Sequence, residues 1–205
     1  MQNTHDKGTP TTHKRKTKMK KKIFTFATII VLIICALPIQ SAKAYSTLPF
    51  HINIAVSFVP YSGLTADTIS HMGLAAKQWN SAAGKTIMYV SLNRHSSMSY
   101  PTKNGVNEVY KRNAGAAGYV GQTTSWYTSG VLTESDTNFN MYYSFANSQQ
   151  LGCYDTYSIF LHEAGHTAGM GHSAYSSAVM WPTAYTNTLR RTLQADDKNG
   201  IASKY

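Results

Sequence analysis

The stretch Leu161 to Ser173, LHEAGHTAGMGHS, puts three histidines and a glutamate within eleven residues. His162 and His166 are four apart, so on a helix their imidazoles stand one turn apart on the same face. Two nitrogens so placed can meet one Zn²⁺ at about 2.0–2.1 Å. Glu163 sits about 100° round the helix from His162, where it misses the metal and reaches a metal-bound water. Gly169 permits a sharp turn that brings His172 back as a third ligand. Three protein ligands leave a position open, which separates a catalytic zinc site from a closed structural one. The chemistry expected is hydrolysis. Zinc acidifies its water and polarises a carbonyl, and Glu163 takes the water's proton as general base and returns it to the leaving amine.

A bare H-E-x-x-H arises by chance on ordinary helices. The longer H-E-x-x-H-x-x-G-x-x-H is satisfied here at every fixed position and calls for a methionine in a tight turn beneath the metal. SSAVMWP supplies Met180 eight residues after His172, with Pro182 two beyond.

The elements that must position these residues can be read from local pattern. YDTYSIFLHEAGHTAG reads as a helix with Asp155 as N-cap and Gly169 in the left-handed turn that ends it. Earlier, Ile69, Met72, Ala76 and Trp79 recur at three- and four-residue steps and predict an amphipathic helix closed near Gly84. HINIAVSFVP (residues 51–60) and KTIMYVSL (85–92) read as strands. AGYVGQTTSWY and GVLTESDTNFNMYYSF read as two more, separated by Thr128-Ser129-Gly130. A last short helix follows in LQADDKNGIASKY. Strand–helix–strands–helix–loop–helix predicts an α+β domain with a mixed sheet.

On these residues the chain resembles a metzincin and, within that clan, a matrixin. Ser173 directly after His172 is the matrixin-like choice. LQADDKNGI resembles the family's C-terminal helix, and AAKQWN its tryptophan-bearing first helix. The resemblance runs from about His51 to Tyr205 and is most specific from Tyr154 to Ile201. It implies a twisted mixed sheet, two main helices plus a C-terminal one, and a cleft between an upper and a lower subdomain. An extended peptide or protein substrate would pair with an edge strand in AGYVGQTTS. It also implies that Asp196 faces a mature N-terminal ammonium, while Asp197 ties the last helix to the Met180 turn.

The chain departs from the family pattern in several places. The six residues from Tyr45 to Phe50 leave no room for a cysteine-bearing pro-segment, and Cys153 reads as an idle thiol. No His/Asp-rich loop for a second zinc is recognisable, and His51, His71 and His95 each read as surface or satisfied histidines. Glu134 and Asp136 could lend oxygens to Ca²⁺, but a solvated strand edge is the expectation, so calcium stays unsupported. MWPTAY is one residue longer than the family form, which removes the ground for assigning Tyr185 to a pocket wall.

The formal charge of +10 over 205 residues would suggest a nucleic-acid or membrane partner, but its location excludes that reading. Residues 1–44 hold nine of the 19 Lys+Arg and one acidic residue, so the remainder carries ten against eight. KRKTKMKKK, fifteen mostly apolar residues from Ile23 to Leu37, and an Ala42-Lys43-Ala44 ending form an export signal over 1–44, with Met19 as an alternative start. Residues 45–205 are then one catalytic domain, extracellular, clear of the membrane after cleavage and expected as a monomer. Cleavage leaves Cys153 without a partner, so the core must hold the fold, and a disulfide-free exported chain points to a bacterial source. Two other functions fit the same motif: a zinc hydrolase of cell-wall peptide or amide bonds, and a zinc-stabilised binding protein without turnover. Loss of the general base usually marks the latter, and Glu163 is present.

Overall fold

The computed structural model describes residues 44–116 and 118–205, so the expected export signal, apart from Ala44, lies outside the described residues. The strands are β1 (Tyr45–Thr47), β2 (Val56–Pro60), β3 (Met88–Val90), β4 (Asn107–Arg112), β5 (Gly121–Thr128), β6 (Val131–Asn140), β7 (Phe145–Ala146), β8 (Tyr154–Asp155) and β9 (Met170–Ser173). The helices are α1 (Ala66–Ala83), α2 (Thr156–Thr167) and α3 (Ala195–Ala202). Five strands form a mixed sheet in the order β3-β2-β4-β6-β5. Its pairs are parallel except β5 with β6, which is antiparallel and leaves β5 as an edge. This is the expected α+β architecture. No helix among the described residues is long and apolar enough to cross a membrane.

Helix ends follow local chemistry. Thr65 caps α1 by accepting from Thr68 N at 3.2 Å, and Gly84 closes it at φ 69°. Asp155 caps α2, and Gln194 with Asp197 forms a capping box on α3. Helices α1 and α2 lay Met72, Trp79, Phe160 and Leu161 against Phe58 and Phe139 of the sheet, all fully or nearly fully buried. Trp79 Nε1 donates to Leu161 O at 2.8 Å, so the largest core side chain also ties α1 to α2.

The strand readings were too long at their ends. β2 begins at Val56, leaving His51 in a single bridge to Val131, and β3 is three residues. β4 was not anticipated from NEVYKR, nor were the short pairs β1–β9 and β7–β8.

A larger correction concerns β6. It lies between β4 and β5, and every residue from Glu134 to Asn140 is buried although most are polar. The TESD stretch is therefore no solvated edge. Alternate side chains point to opposite faces of a strand. Ser135 reaches Thr167 of α2 at 2.8 Å, while Glu134 and Asp136 face the connection between β3 and β4. Glu134 accepts from Asn104 N at 2.9 Å and Gly105 N at 2.7 Å. Asp136 accepts from Thr102 N at 2.9 Å and Glu108 N at 3.0 Å. Glu108 in turn accepts from Asn104 Nδ2 at 3.0 Å and from the Tyr110 hydroxyl, and its other oxygen lies 3.3 Å from His95 Nδ1. Three buried carboxylates thus clasp a stretch that has few apolar side chains of its own. His95 is only half satisfied there: Nε2 donates to Val109 O at 3.1 Å, while the buried Nδ1 has no hydrogen-bond partner among the described residues.

Candidate metal centre and cleft

Helix α2 is fixed at its start by Asp155. Its carboxylate accepts from Ser158 N at 2.9 Å and Ser158 Oγ at 2.6 Å, and pairs with Arg191. Burial works to raise this carboxyl, but the Arg191 and Ser158 hydrogen bonds win and hold it below the usual carboxylate range. With Phe160 and Leu161 committed to the core, the helix periodicity turns His162 and His166 the other way. The chain then reverses at Gly169, whose φ of 80° is left-handed. It returns as β9, paired antiparallel with β1, and Ser46 Oγ donates to His172 O at 2.7 Å. A β-carbon at Gly165 would collide with Met180 Sδ and Trp79, so that glycine lets the Met180 turn nest under the helix.

The three histidines come together. Each brings a ring nitrogen within 4.8 Å of the others, the one such group of three metal-ligand side chains among the described residues. His162 Nδ1 lies 2.8 Å from Val179 O, and His166 Nδ1 lies 2.9 Å from Met170 O. A carbonyl oxygen only accepts, so both Nδ1 atoms carry the hydrogen and both Nε2 atoms present lone pairs. Burial drives the ring pKa of His162 down to about 3, helped by neighbouring His166, and that of His166 down to about 4. The rings are neutral, with lone pairs facing each other at 3.1 Å. That contact is unfavourable by itself and suits a shared cation. A tetrahedral zinc with bonds of about 2.0–2.1 Å holds its nitrogens roughly 3.4 Å apart. The donor set fits zinc.

Glu163 is 4% exposed, and burial pushes its carboxyl up to about 7. Thr123 Oγ1 on β5 donates to Glu163 Oε2 at 2.7 Å. A β-carbon at Gly121 would stand 2.6 Å from Glu163 Oε1 and 2.7 Å from Ile159 Cγ2, so the edge strand approaches α2 this closely only as glycine. Neither residue was identified from sequence. Thr123 is 40 residues from its partner, and no local pattern marks it.

Asp197 accepts from Val179 N at 2.9 Å and Met180 N at 3.0 Å, which ties α3 to the methionine turn as the resemblance implied. Asp196 accepts from Ser173 Oγ at 2.6 Å, one residue past His172. The ammonium partner expected for Asp196 belongs to a chain cut after Ala44.

A cleft of about 540 Å³ runs past the three histidines and Glu163. β5 and the residues before it form one wall, with Gly121, Gln122 and Thr123. The turn after Met180 forms the other, with Trp181, Pro182 and Tyr185. Tyr185 does line the cleft, contrary to the spacing argument: Arg190 stacks 5.7 Å from its ring centroid and holds it there. Cys153 is a free, half-buried thiol whose carbonyl accepts from Asn187 N at 2.9 Å.

Residues 110–205 match the family model described as Matrixin. The chain is 31% identical over 80 residues to Metalloendoproteinase 1 of Glycine max, covering 39% of this chain and 22% of that protein. It is 41% identical over 51 residues to Metalloendoproteinase 1-MMP of Arabidopsis thaliana, covering 25% and 14%. With Matrix metalloproteinase-2 of Drosophila melanogaster it shares 42% over 48 residues, covering 23% and 6%. The chain thus spans 22% or less of the length of these relatives. The metzincin-type pattern over His162–His172, the Met180 turn held by Asp197, and the family match agree, and this chain carries a matrixin-type domain.

Proposed function

We propose that this chain is a secreted zinc-dependent endopeptidase that hydrolyses peptide bonds of extracellular proteins. The observation that supports it is the pair of neutral imidazoles whose Nε2 lone pairs face one another at 3.1 Å, beside His172 and in one cleft with the buried carboxyl of Glu163. His162, His166 and His172 would hold the metal. Zinc, when bound, supplies Lewis acidity toward the scissile carbonyl and the attacking water. Glu163 takes the proton of that water and passes it to the leaving amine; a carboxyl near 7 is suited to both directions. Thr123 holds the carboxylate in place. The free edge of β5 pairs with an extended peptide backbone, the substrate class we assign. Export follows from the leader over residues 1–44, and the protein acts as a monomer.

The test uses the full chain loaded with zinc and offered casein and a peptide library, beside Glu163→Ala and a chelator. Cleavage that both treatments abolish is expected. One equivalent of zinc with no Glu163-dependent cleavage would overturn the reading in favour of a zinc-stabilised binding protein, and cleavage confined to cell-wall peptides would narrow the substrate.

A further inference from the structure

Two adjacent arginines in the wall after Met180 have different fates. Arg191 is spent. Its Nε lies 3.0 and 3.2 Å from the two Asp155 oxygens, its Nη2 pairs with Asp155 Oδ1, and Nη2 also donates to Asn147 O at 2.7 Å. Gln78 fastens the same segment, donating to Arg191 O at 2.6 Å and accepting from Leu193 N at 3.1 Å. This frame fixes the backbone beside Arg190, whose own N donates to Ser158 Oγ at 2.7 Å.

The Arg190 side chain, by contrast, lines the cleft and forms no ion pair among the described residues. Its Nη1 donates to Thr183 O at 3.1 Å, and its guanidinium lies against Tyr185. A guanidinium has five N–H donors in a planar fork, so most are left for another group. The charges around it do not supply one. Asp155 lines the same cleft but is neutralised by Arg191, and Glu163 has its own partner in Thr123. No other Lys or Arg lines the cleft, whose wall here combines Ile159, Val179, Trp181 and Tyr185 with the uncharged hydroxyls of Ser158, Thr183 and Thr188. A partly buried cation in such a wall is incomplete without an anion, and the ligand that matches a guanidinium fork is a carboxylate.

We infer that Arg190 makes this wall a carboxylate-recognising subsite, so that favoured substrates carry a carboxylate on the part of the peptide that enters it. This rests on the cleft being where peptides bind. The carboxylate has two sources: an acidic side chain, or the C-terminus of a short peptide ending in the cleft. Both present the same fork-matching oxygens.

The experiment measures binding and cleavage separately. Peptide pairs differ only by Glu against Gln at successive positions, each with a free-acid or an amidated C-terminus. Binding is followed by fluorescence polarisation on the zinc-loaded Glu163→Gln full chain, and cleavage on the unmodified one. The expected result is about a tenfold or greater preference for the carboxylate at one position. Arg190→Gln erases the ratio, Arg190→Lys keeps part of it, and Arg190→Glu reverses it toward Lys peptides. Preference for the free acid identifies the C-terminus as the source; preference for Glu in amidated peptides identifies the side chain. An Arg190→Gln variant that lowers binding of Glu and Gln peptides alike would overturn the proposal and leave Arg190 a brace for Thr183 and Tyr185. Equal binding of both peptides by the unmodified wall would overturn it too. Glu-selective binding without cleavage would support the subsite while defeating the protease reading, so the two failures are distinguishable.

Discussion

The histidines on the α2 side of the sheet and the carboxylates on its other face are both built from side chains that ligate metals, yet their lone pairs are disposed differently. His162 and His166 spend Nδ1 on backbone carbonyls and aim Nε2 at each other. Each oxygen of Glu134 and Asp136 already accepts a backbone N–H, and Glu108 Oε2 accepts from Asn104 Nδ2 and the Tyr110 hydroxyl. Side chains able to ligate a metal are common to both clusters, but only the histidines bring three ligand atoms within 4.8 Å of one another among the described residues. What separates a site that calls for an ion from a clasp that holds a loop is whether donor atoms face one another or face hydrogen-bond donors.

The sharpest way to break the contrast is to remove a ligand from one cluster. His166→Ala should abolish both bound zinc, read by elemental analysis, and proteolysis, because two imidazoles cannot hold the ion as three do. Normal metal content in this variant would mean the ion sits elsewhere, with the clasp as the first place to look. Glu163→Gln should lower kcat by about 10²–10⁴ while zinc stays at one equivalent, separating the base from the ligands.

On the other face, Glu134→Ala leaves the N–H groups of Asn104 and Gly105 unpaired. It should cost about 2–4 kcal/mol of stability in urea unfolding while leaving zinc content unchanged. Loss of zinc on this substitution would erase the distinction between the clusters.

The smallest effect is in pH dependence. Burial, with Glu134 and Glu108 nearby, pushes the Asp136 carboxyl up to about 6 against two opposing backbone N–H bonds. A raised carboxyl binds protons more readily folded than unfolded. Its contribution is therefore fully present below the ordinary aspartate range and is lost as pH rises through about 6. Asp155, held low by Arg191, runs the other way and loses its contribution as pH falls. Asp136→Asn should flatten the decline in stability between about pH 4 and 6; an unchanged profile would show that Asp136 stays ionised there.

Much of the candidate site was legible because its spacing is local. The four-residue step from His162 to His166, the cap at Asp155 and the turn at Gly169 are consequences of helix geometry over a dozen residues. Met180 and Asp197 were reachable through family pattern. The acidic clasp was not, because Glu134-Ser135-Asp136 has the composition of a solvated strand, and burial there comes from a stretch some 30 residues upstream that offers its N–H groups. The spacing argument likewise gave no ground for Tyr185, which lines the cleft with Arg190 5.7 Å from its ring centroid.

By itself, then, the chain determined which residues could ligate, where the helix bearing them starts and stops, and the class of chemistry they suit. Those depend on backbone periodicity and capping, which act within a few residues. Only the tertiary structure decided which polar groups are already satisfied. Thr123 meets Glu163 across 40 residues, and of two neighbouring arginines one is consumed by Asp155 while the other faces the cleft. A side chain's capacity to bind something new depends on what packing has already placed against it, and that is not written in its immediate sequence.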